Sequence, residues 1–250
     1  MTPMLAALFV ASEPSWTGMG LVALLGGLLA LDDTAFAQTW FSQPLPAALL
    51  TGLALGDPVT GLAVGLPVQI VLAGNLPVGQ SFTGDPAIAT VGVVGAAVMA
   101  EQAQLPALQH GSAGLPLLGW LLVAVALLSI AGQYAIQAER RGNTAWMLLG
   151  HRTLRDGDLG RISRLQQRCL LVTAVRGAVS ATAFLLLVLW VWIPQFALLP
   201  QRVTVACGLL ALLLPGLGLG TLVEQYGLRR SGPWLAGGLA VAALTAAVAA

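Results

Sequence analysis

Four aspartates stand in the opening part of an otherwise apolar chain, and each lies at the end or at a break of a hydrophobic run: Asp32, Asp33, Asp57 and Asp85. Gln69, Asn75 and Gln80 precede Asp85 in GLPVQIVLAGNLPVGQSFTGDPAIA, residues 65–89. A carboxylate inside a bilayer costs about 2.5–3.5 kcal/mol on insertion scales, so its presence there needs a reason. One reason is chemical. A carboxylate accepts two hydroxyls, while an amide side chain donates and accepts at once. Asp32, Asp33, Gln69, Asn75, Gln80 and Asp85 are therefore the candidate binding set for a neutral polyol. Interrupted helix ends would add free backbone N–H and C=O groups for its remaining hydroxyls. The other reason is structural: Asp57 and Asp85 each precede a proline, the pattern of an N-cap followed by a first helical residue. Capping accounts for Asp57, and both readings stand for Asp85.

Other chemistries find little support. His110 and His151 lie far in sequence from the acids and from each other, so no metal site and no cofactor is expected. Cys169 and Cys207 sit in apolar surroundings without a CxxC spacing and read as buried thiols. The LDDTAF segment at Leu31 hints at an aspartate-motif membrane enzyme binding a magnesium diphosphate. However, the third carboxylate of such a motif is absent, and the chain contains no lysine.

The elements that must position these residues follow from composition. Of 250 residues, 57% are hydrophobic and 8% charged, with a mean hydropathy of +0.86. Soluble domains carry about 25% charged residues, so these charges cannot cover a water-exposed surface. The expected fold class is an all-α integral membrane protein, a polytopic helical bundle with broken or re-entrant helices and an interfacial amphipathic arm. Apolar runs at 16–31, 44–56, 59–74, 86–100, 114–136, 169–196, 203–222 and 233–250 mark its segments. A spanning helix needs about 20 apolar residues, and the runs at 44–56, 59–74 and 86–100 fall short of that. Gly-Asp-Pro and Gly-Asn-Leu-Pro interrupt them, the signature of discontinuous helices lining a cavity.

Eight of the eleven arginines fall between Arg140 and Arg176. A basic stretch between apolar spans marks the cytoplasmic side, which makes nucleic acid an unexpected partner. The predicted organisation is an N-terminal membrane half at 1–136, a basic amphipathic arm at 137–168 and a C-terminal membrane half at 169–250. The apolar N-terminus lacks a basic region before it and does not read as a cleaved signal peptide.

The residues from Leu31, LDDTAFAQTWFSQPLPAALLTGLALGDPVTGLAVGLPVQIVLAGNLPVGQSFTGDPAIATV, resemble the membrane IIC subunit of mannose/fructose/sorbose-type sugar phosphotransferase systems. Family members read much like LDxTxxxQxxxSRPLVxGPLTGLxLGDPxTGLxVGxxLELxxLxxLPVGxxxPPDxxLAxV. The likeness resumes in AERRGNTAWMLLGHRTLRDGDLGRISRLQQRCLL. The resemblance implies a sugar-translocating subunit in the bacterial inner membrane, paired with a IID membrane subunit and moving its core elevator-fashion. Soluble IIB and IIA proteins would supply phosphoryl transfer, since this chain has no phosphoacceptor domain. Three departures are visible: Gln69 where the family has glutamate, Gln43 where it has arginine, and TGD in place of PPD. They leave the sugar open, and a diverged transporter or channel outside the phosphotransferase route is the alternative.

Overall fold

The computed structural model describes residues 15–73, 84–102, 114–155 and 157–249; the side chains of residues 34, 154, 155, 159 and 241–249 are outside that description. Asn75 and Gln80 lie outside the described residues. Every regular element among those described is helical: α1 Trp16–Thr34, α2 Pro44–Leu55, α3 Pro58–Leu72, α4 Pro86–Gln102, α5 Gly114–Arg155, α6 Leu159–Leu187, a π turn Val188–Trp192, α7 Ile193–Phe196, α8 Gln201–Tyr226 and α9 Leu228–Ala249. Segments in α1, α5, α8 and the run from α6 through α7 are long and apolar enough to cross a membrane. The all-α membrane bundle expected from composition is what the chain forms.

The short helices are stopped by their own sequence. Gly56 ends α2 at φ 88, a left-handed value open to glycine, and its N–H returns to Gly52 and Leu53 carbonyls. Asp57 then caps α3 by accepting from Thr60 N at 3.0 Å, with Pro58 at the first helical position. The two helices form an antiparallel hairpin made tight by glycines. A Cβ added at Gly61 would sit 2.5 Å from Ala48 O, and one at Gly65 would sit 2.5 Å from Ala48 Cβ. At 12 and 15 residues, these helices are about 18 and 22 Å long. Neither crosses a hydrocarbon layer of about 30 Å alone.

Helix α4 is the core of the bundle, with every residue from Ala87 to Ala100 buried. It is rich in glycine, alanine and valine because neighbours press on all sides. Gly92 and Gly95 let α6 approach at Ala181, Phe184 and Leu185, and Val22 of α1 comes in at Gly95. Between α1 and α6 the backbones nearly touch: a Cβ at Gly26 would lie 2.5 Å from Ala181 Cβ and 2.7 Å from Gly177 O. Small residues at helix crossings are the means by which membrane helices gain van der Waals contact.

The arm is a helical hairpin that extends two membrane helices. Helix α5 runs unbroken for 42 residues, about 63 Å, and α6 starts at Leu159 after a turn at Gly157, φ 74. The chain thus passes through 136/137 and 168/169 without any break. Gly142 and Gly150 are single interior glycines, each costing about 1 kcal/mol, too little to end a helix packed along its length. The result is a hairpin continuous with two membrane helices, in which Arg168 lies over the Trp146 ring at 5.7 Å.

Candidate functional site

Chain direction places the predicted site residues. Helix α1 descends toward the arm, antiparallel to α6, as the pairing of Gly26 with Ala181 and Gly27 with Ala174 requires. Helix α3 returns to the same end, since Gln69 reaches Leu45 at the start of α2. Asp32, Asp33, Gln69 and Asp85 therefore all lie toward the arm side of the bundle. They serve four different local environments.

Asp85 closes the segment before Pro86 and opens α4. Its backbone N–H donates to Ser129 O at 2.9 Å, pinning it to α5. Gly132 makes that approach possible, because a Cβ there would lie 2.7 Å from Asp85 Cβ. Oδ1 accepts from Ile88 N at 3.3 Å, the capping bond expected from the sequence. Oδ2 takes Arg176 Nη1 at 2.7 Å. Arg176 donates from Nε to Glu139 Oε2 at 2.5 Å. The other oxygen of Glu139 accepts from Thr173 Oγ1 and from Asn143 Nδ2, the latter at 3.3 Å. This ladder joins the start of the core helix to both helices of the arm hairpin. Its charged side chains are only 8–10% exposed. A guanidinium suits this place because its rigid fork bonds two carboxylates at once, which an ammonium does less well.

Arg176 and Glu139 also form part of the wall of a cavity of ≈ 330 Å³, completed by Asp33, Arg140, Asn143, Gln166, Cys169 and Thr173 among others. Asp33 is exposed and belongs to this cavity. Its neighbour Asp32 does not. The buried Asp32 carboxylate accepts from Thr39 N and Thr39 Oγ1, both at 2.6 Å, and from Ser42 N at 2.9 Å. Those bonds secure the α1–α2 loop, where Ala37, Gln38 and Trp40 adopt positive φ values of 69, 53 and 70. Gln69 is also engaged: its Oε1 accepts from Leu45 N at 3.2 Å and caps α2, whose own N-cap residue Gln43 makes no side-chain bond.

Glu139 and Arg176 were not among the residues singled out by sequence, and the signal for them was present. Arg176 stands inside the apolar run 169–196, where a charge needs a partner, yet it reads equally as the last member of the basic stretch. Glu139 sits directly before two arginines and looks like their solvent-side companion. Among the described residues no group of three or more His, Cys, Asp or Glu could hold a metal ion. His110 lies outside the described residues.

Comparison with known proteins is consistent with this architecture. A family model described as "PTS system sorbose-specific iic component" matches residues 16–249. A solved structure described only as "Structure of membrane protein" aligns with a TM-score of 0.68 at 20% identity, covering 92% of this chain and 88% of that one. A second, "CryoEM Structure of Mannose Transporter ManYZ and Microcin E492 (MceA) complex", aligns with a TM-score of 0.54 at 22% identity, covering 90% and 86%. No curated protein matches. These likenesses establish a shared fold, and the family match spans every helix described here. The chain belongs to the family of sorbose-specific IIC components of the sugar phosphotransferase system.

Proposed function

We propose that this subunit moves a hexose inward across the bacterial inner membrane, for phosphorylation by a separate IIB protein fed by IIA. The observation that supports this most directly is the architecture around Asp85. Three apolar helices of 12, 15 and 17 residues, too short to span, are grouped against long helices, and a buried carboxylate stands at the break before the third. Interrupted helices of this kind supply backbone groups and a polar cavity at depth, the usual construction of a transporter's binding site. The sugar would be taken up at the break between α3 and α4, with Gln69, Asn75, Gln80 and Asp85 as its hydrogen-bonding set and Asp32 and Asp33 close by. The elevator element would be the α2–α3 hairpin with α4, sliding against α1, α5 and α6. A IID membrane subunit would cover the exposed apolar flank, and the basic arm would face the cytoplasm, where IIB docks. The named mannose transporter among the structural neighbours keeps an aldohexose among the candidate cargoes.

Asp85 Oδ1 accepts from Ile88 N and Oδ2 from Arg176 Nη1, and each oxygen keeps a second lone pair for a sugar hydroxyl. Asp85→Asn removes the charged acceptor, an interaction worth about 1.5–3 kcal/mol, and sugar uptake should fall at least tenfold at unchanged expression. Gln69→Glu restores the carboxylate usual in the family and should alter sugar affinity or selectivity. Uptake of labelled mannose, fructose and sorbose in cells holding the full phosphorelay measures both. Uptake that proceeds equally fast without IIB would make the chain a channel instead.

A further inference from the structure

Asp85 does not line the cavity at the foot of the arm, whereas Arg176 does. That guanidinium bonds Asp85 through Nη1 and Glu139 through Nε. The wall on the arm side mixes group types: carboxylates of Asp33 and Glu139, guanidinium groups of Arg140 and Arg176, amides of Asn143 and Gln166, and the Thr173 hydroxyl. Two carboxylates would repel a phosphate dianion, and two guanidinium groups would repel a metal cation. A neutral molecule with many hydroxyls has a partner at every point. Asn143 donates from Nδ2 to Glu139 at 3.3 Å and so braces that carboxylate at the cavity wall. Ligand pockets commonly run from about 300 to 1,000 Å³, so ≈ 330 Å³ suits a small ligand of monosaccharide size.

We infer that this cavity is a second sugar site, distinct from the one at the α3–α4 break, with the exposed Asp33 carboxylate as its acceptor and Gln166 as an amide contact. It rests on the reading of the chain as a sugar carrier. In that reading it holds the hexose between release from the moving core and phosphoryl transfer beneath the arm.

Cys169 provides an internal reporter, because it lines this cavity while Cys207 is buried with its carbonyl packed on Gly119. In the Cys207→Ala background, with the full-length chain co-assembled with its proposed IID subunit in lipid nanodiscs, the alkylation rate of Cys169 by N-ethylmaleimide is followed against mannose, fructose, sorbose and inorganic phosphate. Equilibrium dialysis of the same labelled sugars is run on the same preparation. At least one sugar should slow alkylation saturably, and Asp33→Asn, at an exposed position, should raise the half-protecting concentration about tenfold. Phosphate should not protect. Sugar binding by dialysis without protection of Cys169 would remove the second site and leave the carrier intact. Protection unchanged in Asp33→Asn would place its origin elsewhere, and failure of Cys169 to react even without sugar would show the cavity closed; either result overturns the proposal. No binding of any sugar by dialysis would remove the carrier reading and this site together.

Discussion

Arg176 links two acids of the polar interior, Asp85 and Glu139. It neutralises one of two buried carboxylates that would otherwise face each other across the start of α4. Breaking a buried ion pair by removing one partner typically costs about 3–5 kcal/mol, because the remaining charge is stranded. Arg176→Gln should therefore lower thermal stability in mild detergent by an amount of that order. Adding Asp85→Asn to Arg176→Gln should restore part of the loss, since one stranded carboxylate is gone. Equal melting temperatures for wild type and Arg176→Gln would show that the bridge contributes nothing in the assembled protein. Asp32 has a different task at the same end of α1, where its three hydrogen bonds hold a loop with three non-glycine residues at positive φ. Adjacent aspartates of identical chemistry thus serve a loop and a cavity.

At the scale of elements, helix separation is set by glycine. Gly177 of α6 lies against Gly26 of α1, where an added Cβ would collide with the Gly26 carbonyl. Gly177→Val must push the two helices apart and carry the ion ladder with them, because Arg176 is the preceding residue. Overpacking costs about 1–3 kcal/mol, and that loss should appear in thermal unfolding. Gly20→Val on the exposed face of α1 meets nothing within 4 Å and serves as the control. If both variants melt alike, the close crossing is not a constraint. A second clasp acts at the other end of the bundle. Trp120 and Trp192 stack at 4.3 Å, and each donates its indole N–H to the other's backbone carbonyl at 2.9 Å. It ties α5 to the π turn, where the irregular hydrogen bonding precedes Pro194.

For the molecule as a whole, orientation follows from where the arginines gather. Helix α6 leaves the arm, α8 starts at the opposite end, and its C-terminus brings Arg229 and Arg230 back to the arm side. That end collects the positive charge, which predicts a cytoplasmic arm. In a chain with Cys169→Ala and Cys207→Ala, Gly142→Cys on the arm should label only with a membrane-permeant thiol reagent. Gln201→Cys at the start of α8 should label with an impermeant one. The reverse pattern would invert the orientation and detach IIB docking from the arm.

Where the helices would lie was legible in sequence, because apolar runs and Gly-Asp-Pro breaks act locally. The run 44–56 became Pro44–Leu55, 59–74 became Pro58–Leu72, and 86–100 became Pro86–Gln102. Capping by Asp57 was legible for the same reason, since an N-cap and its N–H donor stand three residues apart. The arm was less so: composition marked 137–168 as basic and amphipathic, but only packing decides whether such a stretch lies flat or extends a membrane helix. The candidate polar residues are where local reading stops. Gln69 reaches Leu45, Asp85 reaches Arg176, and Asp33 joins Glu139 at a shared cavity, across separations of 24, 91 and over 100 residues. No periodicity encodes those pairings. They are set by which glycine faces allow which helices to touch, so the sequence determined the candidate polar residues, while the tertiary structure decided which of them hold the fold and which face a cavity.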